Sequence, residues 1–181
     1  MKLVRLVTAI ALTAFTALAA HAEPILHRSA VVAGEAVPTG GSFSVVFPIA
    51  FNDVEIRGED PPAPTLVTHL LMGLNSEGLR VSAMEISGPK YATPIDSLME
   101  TARARPVTTV SDISRAQTGD MEALSFSLTE PKGGGYFRVI RTKGTQYTLV
   151  IQFPEAIRSE ATLLRTAISN HSRLGIHDLC T

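Results

Sequence analysis

The apolar residues change rhythm several times along the chain, and each rhythm predicts an element. In SFSVVFPIAF, Phe43, Val45 and Phe47 fall on one side of an extended chain, Ser44 and Val46 fall opposite, and Pro48 interrupts the run. This predicts a first strand of about five residues. Val54 and Ile56 alternate with acidic neighbours ahead of a proline-rich connector, the pattern of a short edge strand followed by a loop. TLVTHLLMGLNSEGLRVSAMEIS holds two β-competent runs around NSEG, a hairpin whose asparagine and glycine suit turn dihedrals. Pairing Leu74 with Leu79 places Leu70, Met72, Leu74, Leu79, Val81 and Ala83 on a core face. Val67, His69, Leu71, Arg80, Ser82, Met84 and Ile86 then form a second face, too apolar for open water and so expected to be partly covered.

In YATPIDSLMETARARP the period lengthens: Ile95, Leu98, Met99 and Ala102 recur at helical spacing behind Thr93 as cap and Pro94 at the first helical position, with Asp96 completing a capping-box-like pattern. Pro106 limits this helix. VTTVSDIS, MEALSFSLT, YFRVIR and QYTLVIQF then read as four successive strands. The glycines of EPKGGG could cradle a phosphate, but such a cradle needs a helix leaving it. Tyr136, Phe137, Val139 and Ile140 are instead strand formers, and Lys132 precedes the glycines rather than following them, so a flexible hairpin loop is expected there. PEAIRSEATLLRTAISN closes the pattern as an amphipathic helix with Ile157, Ala161, Leu164 and Ile168 in one stripe, broadened by Leu163 and Ala167. The order predicts an α+β domain: a mainly antiparallel sheet of about six to eight strands flanked by two principal helices.

FSVVFP at Phe43 to Pro48, the TLVTHLLMGL strand with its partner, a mid-chain helix, and YFRVIRTKGTQYTLVIQFP with Tyr147-Thr148-Leu149 ahead of a last helix resemble the PsbP-like (PsbP/Mog-type) family of α/β/α sandwiches over residues 42–170. The resemblance implies an exported or accessory module. Several such proteins are scaffolds on larger assemblies, and many have no known activity. It brings no catalytic signature to this chain and does not imply photosystem binding.

The ends bear on compartment. Lys2 and Arg5 precede an apolar stretch from Leu6 to Ala19 and the small-x-small site Ala20-His21-Ala22, the layout of a secretory signal peptide. The stretch falls short of the ~20 residues that cross a bilayer. Residues 1–22 are therefore expected to be removed, which predicts a periplasmic or secreted protein without stable membrane insertion. Residues 23–41 are expected to form an extended lead-in that can contribute an edge strand, residues 42–170 a single domain, and residues 171–181 a tail. The chain has 16 basic and 17 acidic side chains, and the leader holds two of the basic ones, which leaves 14 against 17 and a mature charge of −3. With three tyrosines, seven phenylalanines and no tryptophan, this offers neither the basic field nor the aromatic platform of a nucleic-acid binder. The expected partner is another envelope or secreted protein.

No arrangement in the sequence points to a catalytic, cofactor-binding or metal residue. A serine hydrolase needs a presented hydroxyl beside a base; PTGGSFS lacks the elbow spacing, and Ser42 and Ser44 read as strand-entry residues. The hairpin register above sets His69 across from Met84, an imidazole and a thioether that suit copper(I) but are too few to hold it. Met72, Met99 and Met121 read as core gap-fillers. His171, His177 and Cys180 give three of the four donors a zinc site uses, all on the tail. Cys180 is also free to pair between molecules, and Asn170-His171-Ser172 is a glycosylation sequon. Lys132, Arg138, Arg141 and Lys143 gather on the last hairpin, and Glu55, Glu59 and Asp60 near the proline-rich connector; opposite patches of this kind can guide a protein partner. The residues leave three readings open: a non-catalytic accessory or binding protein, a small hydrolase or metal-handling protein using His69 or the tail, and a small-ligand carrier with a groove between the sheet and the helix from Ile95 to Ala102.

Overall fold

The computed structural model describes residues 24–58, 66–88 and 94–171. Among these are ten strands: β1 (Pro24–Val31), β2 (Gly34–Ala36), β3 (Val45–Phe47), β4 (Phe51–Arg57), β5 (Val67–Leu74), β6 (Arg80–Ser87), β7 (Thr109–Thr118), β8 (Met121–Glu130), β9 (Gly133–Thr142) and β10 (Thr145–Pro154). Helix α1 (Ser97–Arg103) lies between β6 and β7, and a 3₁₀ turn (Glu155–Ile157) leads into α2 (Arg158–His171). Eight strands form one sheet in the order β1-β4-β5-β6-β10-β9-β8-β7, and β2 pairs with β3 in a small second sheet. Every pairing is antiparallel. The chain lays down β4 to β6, crosses through α1 to the far edge, and returns by a meander that zips β10 onto β6 from Thr145↔Ser87 to Gln152↔Arg80.

Central position explains composition. Strand β10, held on both sides, is buried continuously from Gln146 to Ile151 and at Gln152, whereas the edge strand β7 is exposed almost throughout. An edge of this length invites pairing with other chains. Here the β7–β8 register shifts between Ser111 and Ser114, with Asp112 at φ 50°, a bulge that breaks the ladder.

The two faces of the sheet carry separate cores. Leu124, Phe126 and Leu128 alternate along β8 and meet Phe137, Val150, Met99 and Ala102 under α1, with Phe126 and Phe137 stacked at 4.9 Å. On the other face Tyr147, Leu149 and Ile151 pack with Val81, Ala83, Leu71 and the β2–β3 segment, and Ile157 and Leu164 close over them. Arg165 of α2 lies over the Tyr136 ring at 4.2 Å. With helices of seven and fourteen residues, the described residues are dominated by the sheet and do not make two full helical layers.

Several expectations are corrected. Val54 and Ile56 lie on β4, an inner strand, because β1 from the lead-in takes the edge beside it. The β5–β6 hairpin pairs Leu74 with Arg80, one residue away from the expected register. The Asn75 side chain is the cause: its Oδ1 accepts from the Glu77 and Leu79 N–H groups, and Asn75 N–H donates to the Leu79 carbonyl, so Asn75 and Leu79 close the turn themselves. A slip of one residue exchanges the faces. Leu71, Val81 and Ala83 are therefore core, while Met72 and Leu74, expected inside, are exposed.

The helix expected from Pro94 starts at Ser97, because the Pro94 carbonyl is engaged in a turn with Ser97 and the Asp96 carboxylate pairs with Arg115 instead of capping. Thr93 lies outside the described residues. Leu163 is exposed and does not broaden the α2 stripe. Gly133 to Gly135 are not a loop either: the turn is Pro131-Lys132, and all three glycines lie in β9. A Cβ on Gly133 would overlap the Phe153 carbonyl oxygen, and one on Gly134 would sit 2.7 Å from the Leu128 carbonyl oxygen. The run lets neighbouring backbones approach where side chains have no room. Among the described residues no helix is long and apolar enough to cross a membrane.

Candidate functional site

The register of four strands lines up an unusual row. Glu55 on β4 sits opposite His69 on β5, His69 opposite Glu85 on β6, and Glu85 opposite Tyr147 on β10. Asp53 lies one pair further along β4. All five side chains are buried, in a setting where unpaired charge is costly and must find partners.

Those partners come mostly from the chain that precedes β4, with Arg57 added from β4 itself. Arg28 of β1 donates to Asp53 Oδ2 from Nε at 2.9 Å and from Nη2 at 2.8 Å, and Nη2 also reaches the Val37 carbonyl at 2.7 Å. Thr39 adds its hydroxyl at 2.8 Å and its N–H at 3.1 Å to the same carboxylate oxygen. Ser42 donates its N–H to Glu85 Oε2 at 2.7 Å, and its Oγ lies 3.0 Å from that oxygen and 2.9 Å from Tyr147 Oη. Glu55 is held by Arg57 and by His27 at 3.0 Å. Between these anchors Gly40 turns at φ 77°, and a Cβ there would sit 3.1 Å from His69 Cε1. The segment 38–42 is thus pressed onto the imidazole, whose Nδ1 has no hydrogen-bond partner.

The charges respond to this packing. Burial pushes the Asp53 carboxyl up, but the Thr39 and Arg28 hydrogen bonds together outweigh it and hold the group below its ordinary value. The Arg57 hydrogen bond holds Glu55 down against burial, with help from His27 and His69. Both folded-state values are depressed, so this stabilisation is complete above the ordinary carboxylate values of 3.8 and 4.5 and declines as pH falls through and below them. Thermal melts from about pH 7 to about pH 3 should show a steep loss of Tm at the acid end, and Asp53→Asn should flatten it. An acid slope identical in the variant would show that Asp53 carries no share of it.

As chemistry, the row is a fastening. The Ser42 hydroxyl meets a carboxylate and a phenol, not the imidazole, so the nucleophile–base contact of a Ser-His-acid site is not made. Met84 pairs with Leu70 and points to the opposite face from His69, because the shifted hairpin register separates the pair the sequence had suggested. Among the described residues no group of three or more His, Cys, Asp or Glu is placed to hold a metal. His171 ends α2, while His177 and Cys180 lie outside the described residues.

The basic residues of the last hairpin do not form one patch. Lys132 and Lys143 lie in turns at opposite ends of β9, about 35 Å apart at the rise of an extended strand. Arg138 and Arg141 point to opposite faces, and Arg141 pairs with Glu122 at 2.8 Å. Of the acidic group, Glu55 is buried in the row, and Glu59 and Asp60 lie outside the described residues. Met99 is a core gap-filler and Met121 packs at the core margin.

Two features were not foreseen from the sequence. Asp53, Glu85 and Tyr147 joined the row unannounced, although a charged residue between apolar neighbours, as in Met84-Glu85-Ile86, is a usable signal. The second feature is a cavity of about 330 Å³ at the end of the sheet, between the β5–β6 and β8–β9 turns and beside Arg105 just past α1. Of the expected groove between the sheet and the Ile95–Ala102 segment, the part under Met99 and Ala102 is filled by their packing on Leu124, Phe126 and Phe137, while an open depression of about 510 Å³ lies where Pro94, Ile95 and Asp96 face Arg115, Ala116 and Glu122.

No protein-family model matches the chain, and no curated protein matches it either.

Proposed function

We propose that the protein is an exported, non-catalytic accessory or binding protein of the PsbP-like kind, and that it engages another envelope or secreted protein through one face of its sheet. The observation that carries this reading is an exposed apolar surface. Leu26, Met72 and Leu74 are 58%, 40% and 62% exposed, and the pairings Leu26↔Val54, Val54↔Leu70 and Leu70↔Met84 put them on one face with half-buried Val54 and Met84 among them. Apolar surface gathered in one place, unlike single scattered residues, marks an interaction site. The polar row supports the same reading from the other side. Its phenol and two of its carboxylates, Asp53 and Glu85, are spent on fastening segment 38–42, Glu55 is held by Arg57 and His27, and the imidazole is covered. The PsbP-like resemblance and the leader-like residues 1–22 supply the compartment. Mass spectrometry of the exported form should find Glu23 as its first residue; retention of residues 1–22 would contradict export by cleavage.

The test compares affinity capture from the native compartment by the tagged protein and by a Leu26→Glu/Met72→Glu variant. A stoichiometric partner retained by the first and lost at least ten-fold by the second, at unchanged Tm, is the expected result. Equal capture by both would overturn the reading.

A further inference from the structure

The cavity at the end of the sheet is built on a cross-strand row of the face that carries Leu74. Leu74 pairs with Arg80, Arg80 with Gln152, Gln152 with Gly135, and Gly135 with Leu128. Four of these positions offer side chains, and at the fifth, Gly135, the Phe137 ring leans over the backbone, its Cε2 3.0 Å from where a Cβ would stand, so the cavity floor beside Gln152 and Leu128 is aromatic. Phe137 and Phe153 add to its apolar walls. The polar groups around it are unequally matched. Arg105 is paired with Glu130 at 2.8 Å, whereas Arg80 and Lys132, which also line the cavity, have no ion-pair partner among the described residues. The site therefore carries an excess of positive charge over an apolar floor. Gln152 is 6% exposed, and its Oε1 is buried without a hydrogen-bond partner. A buried acceptor left unpaired is costly and calls for a partner.

We propose that this cavity receives the carboxyl-terminal residue of a peptide with an apolar last side chain. Each part of that ligand answers a feature of the wall. Arg80, with Lys132 at the mouth, receives the terminal carboxylate. The Gln152 amide, whose Oε1 is closed to solvent in the free protein, turns on binding so that Oε1 accepts the N–H of the last residue, one carbon away from the carboxylate. The aliphatic side chain rests on the apolar wall formed by Leu128, Phe137 and Phe153. At the ~30 Å³ that a water-sized group occupies in a liquid, the space suits roughly ten heavy atoms, about one N-acylated residue of leucine size. A simple fatty acid would satisfy the charge and the floor but leave Gln152 Oε1 unpaired. This inference rests on the reading of the protein as a binding module and names what its partner presents.

The test uses isolated peptides, so that its failure is separable from failure of the protein–protein reading. A dansyl-Gly-Gly-Ala-Leu peptide with a free carboxyl terminus is titrated with the mature protein and followed by fluorescence anisotropy. Saturable binding is expected, with a loss of at least ten-fold on amidation of the terminus and a similar loss in Arg80→Gln. N-acetyl-leucine should compete, and 4-methylpentanoate, which keeps the carboxylate and aliphatic body but lacks the N–H, should compete at least ten-fold less well. Equal binding of the amidated peptide by the unmodified protein overturns the proposal without depending on any variant. Equal competition by 4-methylpentanoate overturns the peptide assignment, and so does the absence of binding at millimolar protein. If the peptide fails while capture remains sensitive to Leu26→Glu/Met72→Glu, only the cavity proposal falls.

Discussion

Phe126→Ala is expected to destabilise the fold by about 3–5 kcal/mol. Phe126 is fully buried and stacked on Phe137 at 4.9 Å in near-parallel planes, beneath the helix that contributes Met99 and Ala102. Its neighbours come from β8, β9 and β10, whose positions the ladder fixes, and from α1 packed on them, so a phenyl-sized void is not readily closed. Denaturant titration should show the midpoint falling in proportion at constant m. A change below about 1 kcal/mol would mean that this face is loosely packed and that α1 is not seated as described.

Gly133→Val should be nearly as damaging, by about 3 kcal/mol, although it adds apolar volume. The obstacle is backbone: the new Cβ would overlap the Phe153 carbonyl oxygen and lie 3.0 Å from Pro154 Cα. Neither can give way without breaking the Gly133↔Pro154 end of the β9–β10 pairing. Gly119→Ala is the control. Gly119 turns at φ 57° with nothing within 4 Å of its added Cβ, so the cost there is that of the left-handed backbone alone, about 1 kcal/mol. Equal effects at the two positions would contradict a close-approach role for the glycine run.

The parts of the fold that could be read from sequence are those where one face is polar. Leu124, Phe126 and Leu128 alternate with Ala123, Ser125 and Ser127, so β8 has only one sensible orientation. The β5–β6 hairpin has apolar residues on both faces, and a slip by one residue leaves the pattern almost as good. The Asn75 side chain decides it by local hydrogen bonding that composition does not reveal. The glycine run was legible as a break in side chains but not as a close approach, because the backbone it faces belongs to β8 and β10. The polar row was hidden for the same reason: Glu55, His69, Glu85 and Tyr147 become neighbours only once four strands and the slipped register are in place. The cavity depends on a row that spans five strands, so its wall exists only once all five are paired.

The measurement that bears most directly on the account is site-specific photo-cross-linking in the native compartment, with a photoreactive residue at Met72 in one sample and at Leu163 in another. Both positions are exposed and apolar, at 40% and 75%, but Met72 lies on the proposed docking face and Leu163 on α2, which packs over the opposite face. A single saturable adduct from position 72 and none from position 163 is the expected result. Adducts from position 163 alone, or identical patterns from both, would contradict the assignment of the Leu26–Met72–Leu74 face as the surface through which this protein works.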